Sequence, residues 1–266
     1  MAVANASLTE HGVDLTAART PRVELLRMMF DAITLDELVD WVEGRDPMAS
    51  FEYVVTPNVD HVVRLDREYE RLAPAYRDAA VAVCDSQILS GLARLSGIRL
   101  PPIPGSDLTS RFFGSVLKPG DPIVILGGEP SEIDRLKARF KLKRVAHHNP
   151  PKGLLTDSDA MDEVVRFVMS HPARYIFLAL GSPQQELIAH RIQRTGKVRG
   201  LGFCIGASID FLTGKIRRAP QFVRVMGIEW LHRMIQEPRR LWRRYLVDDM
   251  AVWGMYWRWS RNRRSK

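Results

Sequence analysis

Two cysteines in 266 residues are too few for a disulfide framework. Cys84 and Cys204 each end an apolar run, so both read as buried free thiols, in keeping with a reducing compartment. No uninterrupted apolar run approaches the roughly 18 residues of a spanning helix, which leaves a membrane role peripheral. Residues 1 to about 21 are mixed and polar, without the regions of a signal peptide, and read as a loose leader. Walker A is missing, and no G-x-G-x-x-G follows a strand. That argues against a P-loop NTPase and against a dinucleotide redox enzyme. Internal repeats and low-complexity linkers are missing too.

What is present is a 45% hydrophobic chain, enough to bury one α/β core with an appendage. The net charge of +8 is unevenly spread. From Lys215 to Lys266 there are 14 Lys or Arg against 4 Asp or Glu, and in the remainder 25 against 27. A partner that requires positive charge therefore meets the tail, whether nucleic acid, anionic lipid or a diphosphate. Five of the six Trp (Trp230, Trp242, Trp253, Trp257 and Trp259) lie in the same stretch. Arg239, Arg240, Arg243 and Arg244 recur at the spacing of a helix face, and a solvated face is the plain reading of such a run. The boundaries this gives are a leader at 1–21, a core at 22–214 and a basic helical appendage at 215–266.

Along the core, strand and helix patterns alternate. Thr34 to Glu37 open an amphipathic helix with Leu38, Val39 and Val42 inward. Strands are predicted at Tyr53–Thr56, Ala80–Cys84, Ile123–Leu126, Arg144–His147, Tyr175–Leu180 and Leu201–Ile205. Helices follow from Val59, over QILSGLARL, from Ser106 or Asp107, over SEIDRLKARF, over Asp157–Ser170 and over QQELIAHRI. Short turns between alternating elements predict a mostly parallel sheet with helices on both faces. Such sheets bind ligands at the carboxyl ends of their strands. The turns there are Thr56-Pro57-Asn58, Asp85-Ser86, Gly127-Gly128, Gly181 to Glu186 (GSPQQE) and Gly206 to Asp210 (GASID). Any one of these could simply cap a helix. Five polar, Gly-rich turns on one edge favour a site for a phosphate-bearing ligand.

Three patterns have simpler explanations. Asp157-Ser158-Asp159 matches a metal–nucleotide D-x-D but opens a helix, where acids cap. His147-His148 lacks further ligands at zinc spacing, and Asp248-Asp249 balances charge in a cationic arm. No metal site and no cofactor are expected.

The chain resembles the WecG/TagA/CpsF family of bacterial glycosyltransferases from about Ala32 to Leu246. The resemblance is carried by VVTPNVDHVV, the GSPQQE turn and the run GASIDFLTGKIRRAPQFVRVMGIEWLHRMIQEPRRLWRRYL. It implies a Rossmann-like core and inverting transfer of a sugar from a UDP-sugar to a polyprenyl-diphosphate-linked acceptor at the inner face of the cytoplasmic membrane. By that similarity Asp85 stands at the general base and Thr56 and Asn58 at substrate contacts. Gln185 and Asp210 match further pocket positions. Arg233, Arg240 and Arg243 match appendage arginines that neutralise the diphosphate. Two departures are visible: Asp85-Ser86 where many members have Asp-Gly, and Pro101-Pro102 where many carry a basic residue, whose role is met differently here or by Arg99.

Inverting transfer is one displacement at the anomeric carbon. A carboxylate at a strand end can deprotonate the acceptor hydroxyl, with Asp85 first and Asp210 second. Arg offers the leaving diphosphate a planar, two-pronged donor set. Past Leu246, interfacial aromatics with terminal cations suit a helix lying on an anionic membrane surface. Two rival readings remain at this point: a sugar-nucleotide-binding module without catalysis, and a basic nucleic-acid-binding protein, which would leave the convergent core turns without purpose. Donor sugar, acceptor glycan and self-association are not legible.

Overall fold

The computed structural model describes residues 22–151, 153–215, 234–235, 242 and 248–264. It opens with an antiparallel hairpin, β1 (Arg22–Leu25) and β2 (Met28–Asp31), turned at Leu26 and Arg27 with φ of 56° and 66°. Two left-handed residues in a two-residue loop match the right-handed twist of hairpin strands. Asp31, buried at the end of β2, accepts from Arg22 Nε at 3.2 Å and from Ala82 N at 2.8 Å. The hairpin is thereby fastened to the edge of the main sheet and covers it.

The sheet strands are β3 (Glu52–Val55), β4 (Val81–Ala82), β5 (Pro122–Leu126), β6 (Arg144–His148), β7 (Tyr175–Leu178) and β8 (Leu201–Cys204). Their order is β4-β3-β8-β7-β5-β6, with every pair parallel. Between them run α1 (Leu35–Gly44), α2 (Val59–Arg67), α3 (Tyr69–Arg77), α4 (Gln87–Leu95), α5 (Gly105–Arg111), α6 (Pro130–Phe140), α7 (Ser158–Ser170) and α8 (Gln184–Arg194). A π turn over Phe112–Val116 extends α5. The short α9 (Ser208–Leu212) follows β8, and α10 (Ala251–Arg264) closes the described chain.

Apart from the edge strand β6, the strands of the sheet are buried on both faces, and alternate residues enter two apolar layers. Tyr53, Val55, Leu126, Leu178 and Cys204 belong to the first, with Val62, Leu89 and Ile188 of α2, α4 and α8 and with Val252 and Met255 of α10. Val54, Ile125, Phe177 and Phe203 belong to the second, with Leu38, Leu108 and Leu136 of α1, α5 and α6. A period of two on a sheet covered from both sides produces this split. In the second layer Phe112 anchors an aromatic cluster, its ring 4.7 Å from Phe203 and 4.8 Å from Tyr175.

The expected helix starts are well supported. Thr34 and Glu37 form a capping box on α1, and Ser86 and Asp157 accept from Leu89 N and Ala160 N. Strand β7 ends at Leu178 and β8 at Cys204, short of the expected Leu180 and Ile205, and β4 is shorter still. In place of Ala80–Cys84 the ladder covers Val81–Ala82, after which Cys84 bridges to Pro102 and accepts from Ile103 N at 2.7 Å. The Pro101-Pro102 segment lies there as an extension of the edge. The hairpin and α3 were not anticipated. Pro74, inside α3, reads as a breaker.

Both cysteines are free and fully buried, and burial pushes the Cys84 thiol up to about 12 and that of Cys204 well above its ordinary value. Gly202, in the middle of β8, has no room for a side chain: a Cβ would lie 2.6 Å from Phe51 Cζ and 3.1 Å from Tyr53 Cβ. Gly202→Ala should therefore destabilise the protein by about 1–3 kcal/mol through overpacking. Urea unfolding followed by circular dichroism measures it, and an unchanged midpoint would show that Phe51 can retreat freely.

Candidate active site

Because all six strands run the same way, the residues after β3, β4, β7 and β8 share one edge. Those after β3, β4 and β8 meet at Gly105, the first residue of α5. A methyl built on it would lie 3.3 Å from Ser208 Oγ, 3.4 Å from Asp85 Oδ2 and 3.4 Å from Thr56 Oγ1. Three polar oxygens from three strand-end turns thus surround one small residue. The turns are tied by backbone as well, Asp85 N donating to Pro57 O at 2.9 Å. Thr56 is buried and donates to Cys204 O at 3.1 Å, which leaves its oxygen able to accept. Asp85 is half-buried, as a carboxylate serving a cleft must be.

A second set of contacts connects the turns through the interior. Asn58 caps α2 by accepting from Asp60 N at 3.1 Å, and His61 Nδ1 lies 2.8 Å from the same Asn58 oxygen. On its other side, His61 Nε2 is 3.3 Å from Glu186 Oε1. Gln185 Nε2 donates to that oxygen at 2.7 Å, and Gln185 Oε1 accepts from Gly206 N at 2.8 Å. The chain Asn58–His61–Glu186–Gln185–Gly206 therefore runs from the β3 turn through the β7 turn to the β8 turn. Burial pushes the Glu186 carboxyl up, but the hydrogen bond and charge of His61 and the Gln185 amide outweigh it and hold the carboxyl below its ordinary 4.5.

Asp210 sits in α9, its Oδ1 3.8 Å from Lys215 Nζ, which is also 2.6 Å from Glu132 Oε1. His147 Nε2 lies 3.1 Å from both Gly127 O and Gly128 O; two carbonyls require a hydrogen on that nitrogen. His148 stacks on Phe167, and Asp248 pairs with Arg67 at 3.4 Å. Among the described residues no group of three or more His, Cys, Asp or Glu could hold a metal ion. Arg99 is exposed; the backbone and hydroxyl of Thr34 hold the Glu37 carboxyl below its ordinary value, with the charge of Arg99 adding least.

Thr56 and Asp85 are thus brought to one point, and Asn58 and Gln185 are connected by the interior chain. Asp210 stands beside Lys215 at the neighbouring turn. Arg233, Arg240 and Arg243 lie outside the described residues. The sequence reading missed Gly105, Ser208 as a member of the cluster, and the pair His61–Glu186. His61 carried one usable signal, its position three residues after the Asn58 cap, where a side chain turns back over the helix start. Ser86 needs no glycine geometry: it is an extended N-cap with φ −160°.

With this geometry in place, comparison with known families matches residues 23–266 to the Glycosyl transferase WecG/TagA/CpsF family. The chain belongs to that family.

Gly105→Ala should leave the fold intact, since the added methyl makes contacts of 3.3 Å and longer. It should lower transferase turnover by about 10²-fold by displacing groups from the meeting point. Steady-state rates beside thermal melts separate the two effects. The Glu186 pair also predicts a pH dependence. Its carboxyl is held low in the folded protein, so the unfolded chain takes up that proton first. The stability it contributes is complete above about pH 4.5 and is lost as pH falls through the lower folded value. Urea midpoints from about pH 6 down to about pH 3 should fall less steeply in Glu186→Gln than in the parent. Identical slopes would mean the carboxylate is not held by His61.

Proposed function

We propose that this member of the WecG/TagA/CpsF glycosyltransferase family moves a hexose or N-acetylhexosamine-type sugar from a UDP-sugar to a polyprenyl-diphosphate-linked acceptor, with inversion, in cell-surface polysaccharide synthesis. The single observation that supports it most is the convergence of Thr56, Asp85 and Ser208 on Gly105 at the carboxyl edge of a parallel sheet. That edge is where open α/β sheets seat their ligands. The half-buried carboxylate there is positioned to act on an incoming alcohol.

In this reading Asp85 takes the proton of the acceptor hydroxyl as its oxygen attacks the anomeric carbon. Thr56 and Asn58 contact the substrate, with Gln185 and Asp210 at neighbouring positions of the pocket. The bond to UDP breaks on the opposite side, and negative charge grows on the diphosphate. Arg233, Arg240 and Arg243 offset it, assigned by family similarity, and preorganised charge of this kind is a large catalytic term.

The same reading places the protein on the inner face of the cytoplasmic membrane, and α10 supports that. Val252 and Met255 face the core, while Trp253 and Trp257, one turn apart, are 50% and 60% exposed. Arg261 lies over the Trp257 ring at 4.6 Å and Arg263 over Trp259 at 5.3 Å. No acidic residue occurs in this helix. Beside it, Ile88, Leu92, Leu95 and Trp253 line an apolar groove of about 430 Å³. Aromatics at headgroup depth with cations around them suit an anionic lipid surface at ~1 kcal/mol per cation. Among the described residues no helix is long and apolar enough to cross a membrane.

A donor screen with a synthetic prenyl-diphosphate acceptor, run with and without chelator, tests the activity. Asp85→Asn should lower turnover by about 10²–10⁴-fold with UDP binding retained. Arg240→Ala should weaken use of the UDP-sugar. A protein that binds UDP and is indifferent to Asp85→Asn would be a sugar-nucleotide-binding module instead. For the membrane surface, flotation with phosphatidylglycerol vesicles should weaken as salt rises, and Trp253→Ala/Trp257→Ala should weaken it further. A double variant that floats like the parent would remove α10 from the docking face.

A further inference from the structure

Asn58 and Gln185 stand on different turns, and the hydrogen bonds of each fix which way its amide points. Asp60 N donates to Asn58 Oδ1, so the oxygen is the end that faces His61. His61 Nδ1 lies 2.8 Å from that oxygen and accepts from Asn58 N at 3.3 Å, so the ring is held against the cap by both groups of Asn58. Gly206 N donates to Gln185 Oε1, which leaves Gln185 Nε2 to donate to Glu186. What remains is the gap of 3.3 Å between His61 Nε2 and Glu186 Oε1. A proton has to lie in that gap, since two facing lone pairs in the interior would repel. His61, Gln185 and Glu186 are 7%, 3% and 1% exposed.

We propose that the His61–Glu186 pair is a positioning device for the donor cleft: through the proton it shares, it sets the direction of the Asn58 amide and, by way of Gln185, the placement of the Gly206–Asp210 turn. This rests on the reading of that cleft as a UDP-sugar site. Neither residue touches substrate in this account. The surroundings of the pair leave it undisturbed. Tyr76, edge-on to His61 at 6.5 Å, and Cys204 are both pushed well above their ordinary pKa by burial and stay neutral. Arg64 on the same helix is engaged with Asp60 and with Ser182 O. A buried ion pair is weak ground for stability. What it supplies that apolar packing does not is angle: a hydrogen bond fixes which end of an amide faces the cleft, and the contact area of a leucine does not.

The test measures UDP binding by titration calorimetry on the full chain, with circular dichroism and melting as controls. His61→Phe/Glu186→Leu removes both charges together, so no lone buried ion remains to unfold the protein. It should raise the Kd for UDP by about tenfold or more, because the two turns lose their common reference. Glu186→Gln should restore binding to within about threefold of the parent, its amide oxygen taking the place of Oε1 and accepting from both Gln185 Nε2 and His61 Nε2. Glu186→Asp keeps the charge but withdraws the carboxylate by one methylene, and should weaken UDP binding by about fivefold. If the double variant does not fold, the Asp and Gln variants decide. A merely structural pair would move the melting temperature and leave the Kd of the folded proteins alone, and that result overturns the proposal. If the parent itself does not bind UDP, the donor reading falls, and the positioning role falls with it.

Discussion

Parallel pairing is the constraint from which the rest follows. Six strands in the order β4-β3-β8-β7-β5-β6, all running one way, must end on one side of the molecule. The ladder does not stop where the strands do. Ala179 N donates to Leu126 O, Ile205 N to Leu178 O and Asp85 N to Pro57 O, so the first turn residues are held as firmly as the strands. The floor of the site is therefore continuous with the core. Side chains placed there start from backbone positions that cannot drift independently, which is what a reaction needing aligned groups demands. Burial on both faces secures the pairing: a shift of one residue would send Val54 and Phe203 into the layer built for Val55 and Cys204.

Much of this was legible because the signals are local and periodic. Apolar runs bounded by Gly, Pro and Asn marked the strands, and capping residues marked the helix starts, so α4 and the turns around Thr56, Asp85 and Gly206 could be placed in advance. The failures are equally physical. A hairpin whose turn residues are Leu26 and Arg27 carries none of the Gly or Asn signature of left-handed φ. Helix α3 holds a proline in its interior, which the surrounding packing of Leu72, Ala75 and Tyr76 overrides. Strand β4 is short because the following extended segment, not its own sequence, supplies the pairing at Cys84.

The site was legible as a set of turns and not as a set of contacts. Nothing in the spacing of Gly105 says that Ser208, more than a hundred residues later, will lie against it. The pair His61–Glu186 was hidden for a related reason. Each residue sits in a motif whose other members drew attention, and each has an ordinary local explanation, one in a capping box and the other in the first turn of a helix. Only the ladder β3-β8-β7 brings those two helix starts together, and sequence periodicity does not encode strand order.

The distribution of charge at the edge bears on how such a site can handle a diphosphate. Of the described cations nearest these turns, Arg64 is bound to Asp60 and to Ser182 O, and Lys215 lies between Glu132 and Asp210. Each is already matched by carboxylate, so neither offers a surplus of positive charge to a leaving group. The chain before Lys215, with 25 cationic against 27 acidic residues, has none to lend, while the stretch from Lys215 onward has 14 against 4. The positive charge a diphosphate requires is therefore concentrated in the segment that follows the sheet edge. That division is the physical argument for assigning phosphate to the appendage and the alcohol to the sheet edge.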